Sequence, residues 1–356
     1  MSYQRHTNFV MLGDLLISTP GKKSQGPLTT PSRFTARFPV SNLELSRLEQ
    51  KIIVLRDTLA VAWAGDRIVA RNVLDQIQNE IIEPYTAEEI LSKINEMDLL
   101  EKEKHSVSFI FYAINQDDSD APIQFMETGY LVNQTVFGEN HRIVYAGSGS
   151  SHFLDLISHD FERHDNIGGS ISELQFIISA ILSRAAFAFY REMVSNENHK
   201  YYYGGGFELL VPIPVANKKR FAKISCASAF WRLDGKDPNG RDKLTLVGPI
   251  LTNQYTKNNE LVISRLHFEA DGPVLHRFMV PGMFGVAADD SLMPHPDFDP
   301  FFVIHYVLGL GPKRDTMSVL VEHGIGNDKS MQFSLDKNGI FSFTSKEDFV
   351  TKALGY

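Results

Sequence analysis

A single cysteine, Cys226, stands among 356 residues, so no internal disulfide can form and no thiolate-rich metal site can be built. It lies in the run Ile224-Ser225-Cys226-Ala227 and reads as a buried thiol of a reducing compartment. Excess positive charge is missing as well. Against 35 Lys and Arg stand 43 Asp and Glu, a net charge of −8, which argues against a chain built to grip nucleic acid or an anionic membrane. Met1–His6 lacks the apolar stretch of a secretory signal. The most apolar helix-like segment, Phe176–Tyr190, is interrupted by Ser183 and Arg184 and falls short of the ~20 residues of a membrane span. No P-loop, dinucleotide fingerprint or zinc-ligand array is present. The expectations are a cytoplasmic protein, no cofactor or metal, and neither nucleic acid nor membrane as partner.

Hydrophobic residues make up 43% of the chain, enough for one large domain or two ordinary ones. Asn8–Ser18 reads as strand, with a Gly13-Asp14 break that suits a hairpin turn. Residues 20–37, rich in Gly, Pro, Ser, Thr and Lys, read as a long loop. Lys51–Leu55 and Thr58–Trp63 are two short strands apolar on both faces. From about Arg67 the stripe Val69, Val73, Leu74, Ile77, Ile81 predicts a helix that Pro84 ends. Thr86 and Glu89 form a capping box for a second helix. Strands follow over 106–115, 123–136 and 142–146. The turn Gly147–Ser151 leads into a helix over Phe153, Leu154 and Ile157. A strongly apolar helix begins near Ser172. After Gly204-Gly-Gly206 nearly every segment reads as strand, until a helix over 346–354.

Three motifs carry a resemblance. Gln50–Asp66 has a lysine opening a strand, an Arg56-Asp57 turn, and a buried strand that ends in Gly65 before a helix. Lys51 and Gly65 stand fourteen residues apart. Tyr145-Ala-Gly-Ser-Gly-Ser150 is a glycine turn entering a helix, and Ser106–Asn115 with a strand ending at Gly129 lies between. Together, in this order, they resemble the proteasome-type N-terminal-nucleophile (Ntn) hydrolases over about residues 8–215. The resemblance implies an α+β fold, a four-layer αββα sandwich at 1–215 followed by a mostly β domain at 216–356. It also implies Lys51 as the active-site lysine, Gly65 at the oxyanion position and Ser148 as the serine of the glycine turn. Physically, backbone N–H groups converging at a helix N-terminus favour a developing negative charge. A lysine in a closed pocket stabilises a charged nucleophile.

An Ntn hydrolase attacks with the side chain of its first residue and uses the freed α-amino group as base. Ser2 and Thr7 are the candidates. Ser2 follows a removable Met1 but precedes a polar segment, and Thr7 opens the best strand but lacks a preceding Gly. In another strand register Asp14 matches the family's active-site Asp. Lys200-Tyr-Tyr-Tyr203 stands where the family carries a supporting Asp and Ser. Two readings follow: a non-catalytic relative that serves in assembly or partner binding, and a peptidase or amidohydrolase using Thr7 or Ser2 with Lys51. The resemblance further implies a homo-oligomer, ring-forming through its helical layers, and the β domain is a candidate surface for a protein partner. His152, Asp155, His159, Asp160, His164 and Asp165 read as a solvated polar face, as does the acidic loop Asp289–Pro300.

Overall fold

The structure is a computed structural model and describes residues 9–20, 31, 43–80, 87–96, 106–114, 124–129, 132–137, 141–147, 149–155, 173–195, 204–215, 218–256, 259–284, 300–310, 316–323, 329–335, 341–346 and 348–354. It is an α+β chain, predominantly strand. The order opens with β1 (Met11–Asp14), β2 (Leu16–Pro20), β3 (Leu43–Leu48), β4 (Ile52–Arg56), β5 (Leu59–Gly65), α1 (Arg67–Glu80) and α2 (Ala87–Glu96). It continues with β6 (Val107–Ala113), β7 (Gln124–Gly129), β8 (Val132–Phe137), β9 (His141–Ala146), α3 (Glu173–Ser195), β10 (Phe207–Val215) and β11 (Lys218–Lys223). Next come β12 (Cys226–Lys236), β13 (Asp242–Leu246), β14 (Ile250–Tyr255), β15 (Leu261–Glu269) and β16 (Gly272–Val280). The last elements are β17 (Phe302–Leu310), β18 (Thr316–His323), β19 (Met331–Leu335), β20 (Phe341–Ser345) and α4 (Phe349–Leu354).

Strands β4-β5-β6-β7 form an antiparallel sheet in that order. β5 is apolar on both faces because both are covered. Leu59, Val61 and Trp63 pack with Phe109, Phe111 and the α1 stripe Ala70, Val73, Leu74 and Ile77. On the opposite face, Ala60 and Ile52 meet Phe9, Met11, Leu210 and Phe221 of the second sheet, β1-β10-β11. The outward residues of β10, Phe207, Leu209 and Val211, pack in turn against α3 through Ile178, Leu182 and Phe189. α1 starts where the sequence puts it: Asp66 Oδ1 accepts the N–H of Ile68 at 2.8 Å and of Val69 at 3.2 Å, satisfying two helix-terminal donors.

A seven-stranded sheet follows, β16-β15-β14-β12-β17-β18, with β13 on β12. Every pairing in it is antiparallel except β12 with β17. Phe230, Phe302, Ile304 and Tyr306 on one face share a core with α3 and β10. Hairpin β19-β20 and α4 cover the other through Met331, Phe333, Phe349 and Ala353. Burying both faces of a sheet requires two covering layers, so residues on either side of 215 share one apolar cluster. Because β11 pairs with β10, the β1-β10-β11 sheet extends to Lys223.

Some sequence expectations fail for identifiable reasons. Gly13-Asp14 is no hairpin turn, because β1 pairs with β10 and β2 with β3. Gly13 lies inside β1, where a Cβ would come within 3.1 Å of Ile52 and 3.3 Å of Glu208. β3, which carries Glu44 and Arg47, forms as the pairing partner of β2.

A buried polar cluster in the seven-stranded sheet sets an acid limit. Trp231 Nε1–H donates to His305 Nδ1 at 3.2 Å, and His305 Nε2 lies 3.1 Å from Glu322 Oε2. The indole donor requires a lone pair on Nδ1, so the proton sits on Nε2 and His305 is neutral. Burial, the largest cause, holds His305 below its usual range. Burial alone would raise Glu322, but hydrogen bonds from His305 and Ser330 outweigh it and hold the carboxyl at about 2. Both shifts have one sign: the unfolded chain binds more protons as pH falls. Stability drops first below about pH 6.5, where unfolded histidine protonates, and again between about 4.5 and 2. Urea midpoints measured against pH should show this loss, and Glu322→Gln should flatten its lower limb. An unchanged limb in that variant would refute the assignment.

Candidate functional site

The two stacked sheets leave a cavity of about 320 Å³ at the ends of β1 and β5. Gly13 and Asp14 of β1, Lys51 just before β4, Gly65 at the end of β5, and Gly147, Gly149 and Ser150 of the glycine turn all line it. Trp63, Phe153 and Ile181 contribute apolar wall. Lys51 Nζ lies 2.8 Å from Asp14 Oδ1, with the side chains 16% and 23% exposed. The same oxygen accepts the Leu16 N–H at 3.0 Å, which fixes the carboxylate's rotamer. An ammonium and a carboxylate in an otherwise apolar recess can orient a polar ligand.

Lys51 is held from behind. Its backbone N–H and that of Ile52 both donate to Glu208 Oε1, the second at 2.6 Å. Glu208 is 1% exposed, and its other oxygen lies 2.8 Å from Lys223 Nζ. Lys223 also donates to Gln50 Oε1, and Gln50 Nε2 donates to Val280 O at 3.0 Å. A chain of buried polar contacts therefore joins the lysine of the cavity to the edge of the seven-stranded sheet. Glu208 was missed in the sequence, although one signal was there: a carboxylate inside the apolar run Phe207-Glu-Leu-Leu-Val211 must be paired to be buried.

Gly65 is a geometric necessity. Its φ is +105°, and a Cβ would lie 2.2 Å from the carbonyl oxygen of Ser106. That oxygen accepts the Asp66 N–H at 2.7 Å. Gly147 has φ +102°, and Ser150 Oγ–H donates to its carbonyl at 2.6 Å, so that hydroxyl closes the turn. The structure thus brings together Asp14, Lys51 and Gly65. Ser148, Thr7 and Ser2 lie outside the described residues.

β1 has a direction that matters for a nucleophile. Phe9, just before it, stacks on Tyr112 with ring centroids 3.8 Å apart. Tyr112 pairs with Ala60, five residues back along β5 from Gly65, a distance of about 16 Å. Asp14 and Lys51 stand at the opposite end of β1 from the point where the strand is entered. Among the described residues no group of three His, Cys, Asp or Glu is placed to hold a metal ion, and no helix is long and apolar enough to cross a membrane. Cys226 is held up at about 12 by burial, which leaves its thiol protonated at neutral pH.

No family model matches the chain, and no curated protein does. Among solved structures it is similar to the eukaryotic HslV from Trypanosoma brucei at 13% identity, over 59% of this chain and 95% of that one, with a TM-score of 0.32. A superposition this loose fixes no residue's role.

Proposed function

We infer that this chain is a proteasome-type Ntn fold that keeps its former catalytic recess as a binding and structural site and serves in assembly and partner binding. In this reading α1, the two sheets of the first part and α3 are the four layers of an αββα sandwich. The seven-stranded sheet is the added partner surface. The observation that carries it is the orientation of β1: a nucleophile opening this strand would start at the Phe9 end, five residues and roughly 16 Å along the strand from Asp14, the ion-pair partner of Lys51. Lys51 is then a partner of Asp14 and holds the recess together.

The test combines mass and mutation. The intact chain is expected to begin at Met1 or Ser2 and to hydrolyse no peptide amide above the buffer rate. Lys51→Met should lower stability by about 1–3 kcal/mol by leaving the Asp14 carboxylate part-buried and unpaired, and Asp14→Asn in the same chain should recover part of it. A chain shortened by six residues, or amide hydrolysis abolished by Lys51→Met, would overturn the inference. The second reading, an Ntn hydrolase, is favoured by one observation: Asp14, Lys51, Gly65 and the turn at Gly147 share a single cavity. It would use Thr7 or Ser2 as nucleophile, with Lys51 beside it.

Assembly would use α1. Arg67 pairs with Glu49 at 2.6 Å, and Ile68, 68% exposed, stands beside Arg71 and Asn72. The exposed face of α1 is the surface proposed for a repeating heterologous contact that closes a ring. Sedimentation at micromolar concentration is expected to give a species heavier than the 40.1 kDa chain, with Ile68→Glu shifting it to monomer. A wild-type monomer would count against ring assembly.

A further inference from the structure

Hairpin β15-β16 carries a group of basic side chains that the recess does not use. Arg265 stands opposite His276 in the strand register, and His267 follows Arg265 on the same face. The His267 and His276 rings stack with centroids 5.1 Å apart and 9° between their planes. His267 Nε2 lies 2.8 Å from Glu269 Oε1. Three buried atoms in this group have no hydrogen-bond partner: Arg265 Nε, Arg265 Nη1 and His267 Nδ1. A guanidinium cannot shed its proton, so it cannot escape the cost of burial by becoming neutral. A half-buried cation with unmet donors is destabilised until an acceptor, best a charged one, reaches it. When the His267 ring carries both protons, Nε2–H donates to Glu269 and Nδ1–H is left to donate to the same acceptor.

We propose that this hairpin holds a binding site for a small oxyanion of the phosphate type, with Arg265 as the fixed charge and His267 Nδ1 as a second donor. His276 stacks behind His267 and holds that ring in place. The field at His276 fits this arrangement: burial first, then His267 and Arg265, hold its ring below the usual histidine range, with Glu269 opposing them. An oxyanion seated between Arg265 and His267 cancels the repulsive part, so the His276 ring titrates higher when the site is filled. The acceptor comes either as free phosphate or as a phosphoryl group on a larger molecule, and both present the same oxygens.

The full chain is titrated with sodium phosphate at ionic strength held constant with sodium chloride. The expected result is a saturable rise in melting temperature that chloride does not reproduce, with the His276 ring titration seen by NMR moving to higher pH. Arg265→Met should abolish both. Should that variant fail to fold, His267→Phe keeps the ring stack, removes Nδ1, and should weaken phosphate binding at least about tenfold, the loss of one charge-assisted bond. Tighter binding of O-phosphoserine than of phosphate would assign the site to phosphorylated chains, and the reverse to the free ion. A phosphate response equal to that of chloride, or one that survives intact in Arg265→Met or His267→Phe, would overturn the proposal.

Discussion

Glu208→Ala should lower the stability of the whole chain by about 3–5 kcal/mol, the cost of stranding a buried charge. Three donors converge on this carboxylate: the N–H groups of Lys51 and Ile52, and the Lys223 ammonium. The Lys223 side chain is 6% exposed, so on losing its partner it has almost no access to water. Gln50 accepts one Lys223 hydrogen bond and Tyr255 offers its ring at 5.5 Å, but neither carries the opposing charge. Glu208→Ala with Lys223→Met removes both charges and should recover more than half of the loss, because replacing a whole buried pair by apolar groups is far cheaper than breaking it. Urea unfolding of the two single variants and the double variant measures this coupling. A single-variant loss below about 1 kcal/mol would mean that the pair is solvated and that Lys51 is positioned by something else.

Gly65→Ala should cost about 3 kcal/mol or more and damage the recess. Holding a non-glycine residue at positive φ costs roughly 1–3 kcal/mol by itself. Here the added methyl also meets backbone, since the Ser106 carbonyl oxygen lies 2.2 Å from the Cβ position. That carbonyl cannot swing away without losing the Asp66 N–H bond that sets the start of α1. Gly240 supplies the control. Its φ of +78° is also left-handed, but nothing lies within 4 Å of a Cβ there, so Gly240→Ala carries only the conformational penalty of about 1 kcal/mol. Thermal melts followed by circular dichroism compare the two variants. Equal melting temperatures would show that the crowding at Gly65 relaxes freely, and with it the claim that this glycine shapes the cavity.

The helices and most strands were legible because their signal is local. The α1 stripe repeats every three to four residues, and Asp66 caps it from the adjacent position. β5 and β6 are apolar without interruption because both of their faces are covered. β16 carries His276 and Arg277 among apolar residues and pairs with β15 in a complete antiparallel register. Gly13-Asp14 misled: a glycine beside an aspartate signals a turn by local statistics, whereas here the glycine makes room for Ile52 and Glu208.

The sequence by itself determined the acidic balance, the single thiol and the order of most helices and strands, each of which depends on composition or on short-range patterning; Asp14, Lys51 and Gly65 were pointed to only by the family resemblance. Tertiary structure alone decided that Lys51 meets Asp14, which is 37 residues away, and that Glu208, a further 157 residues along, holds its backbone. It also decided that α3 shares one core with both β10 and the seven-stranded sheet. Burial makes a charged group's partner obligatory without naming it, and the sheet registers that supply the partner arise from packing between segments far apart in the chain.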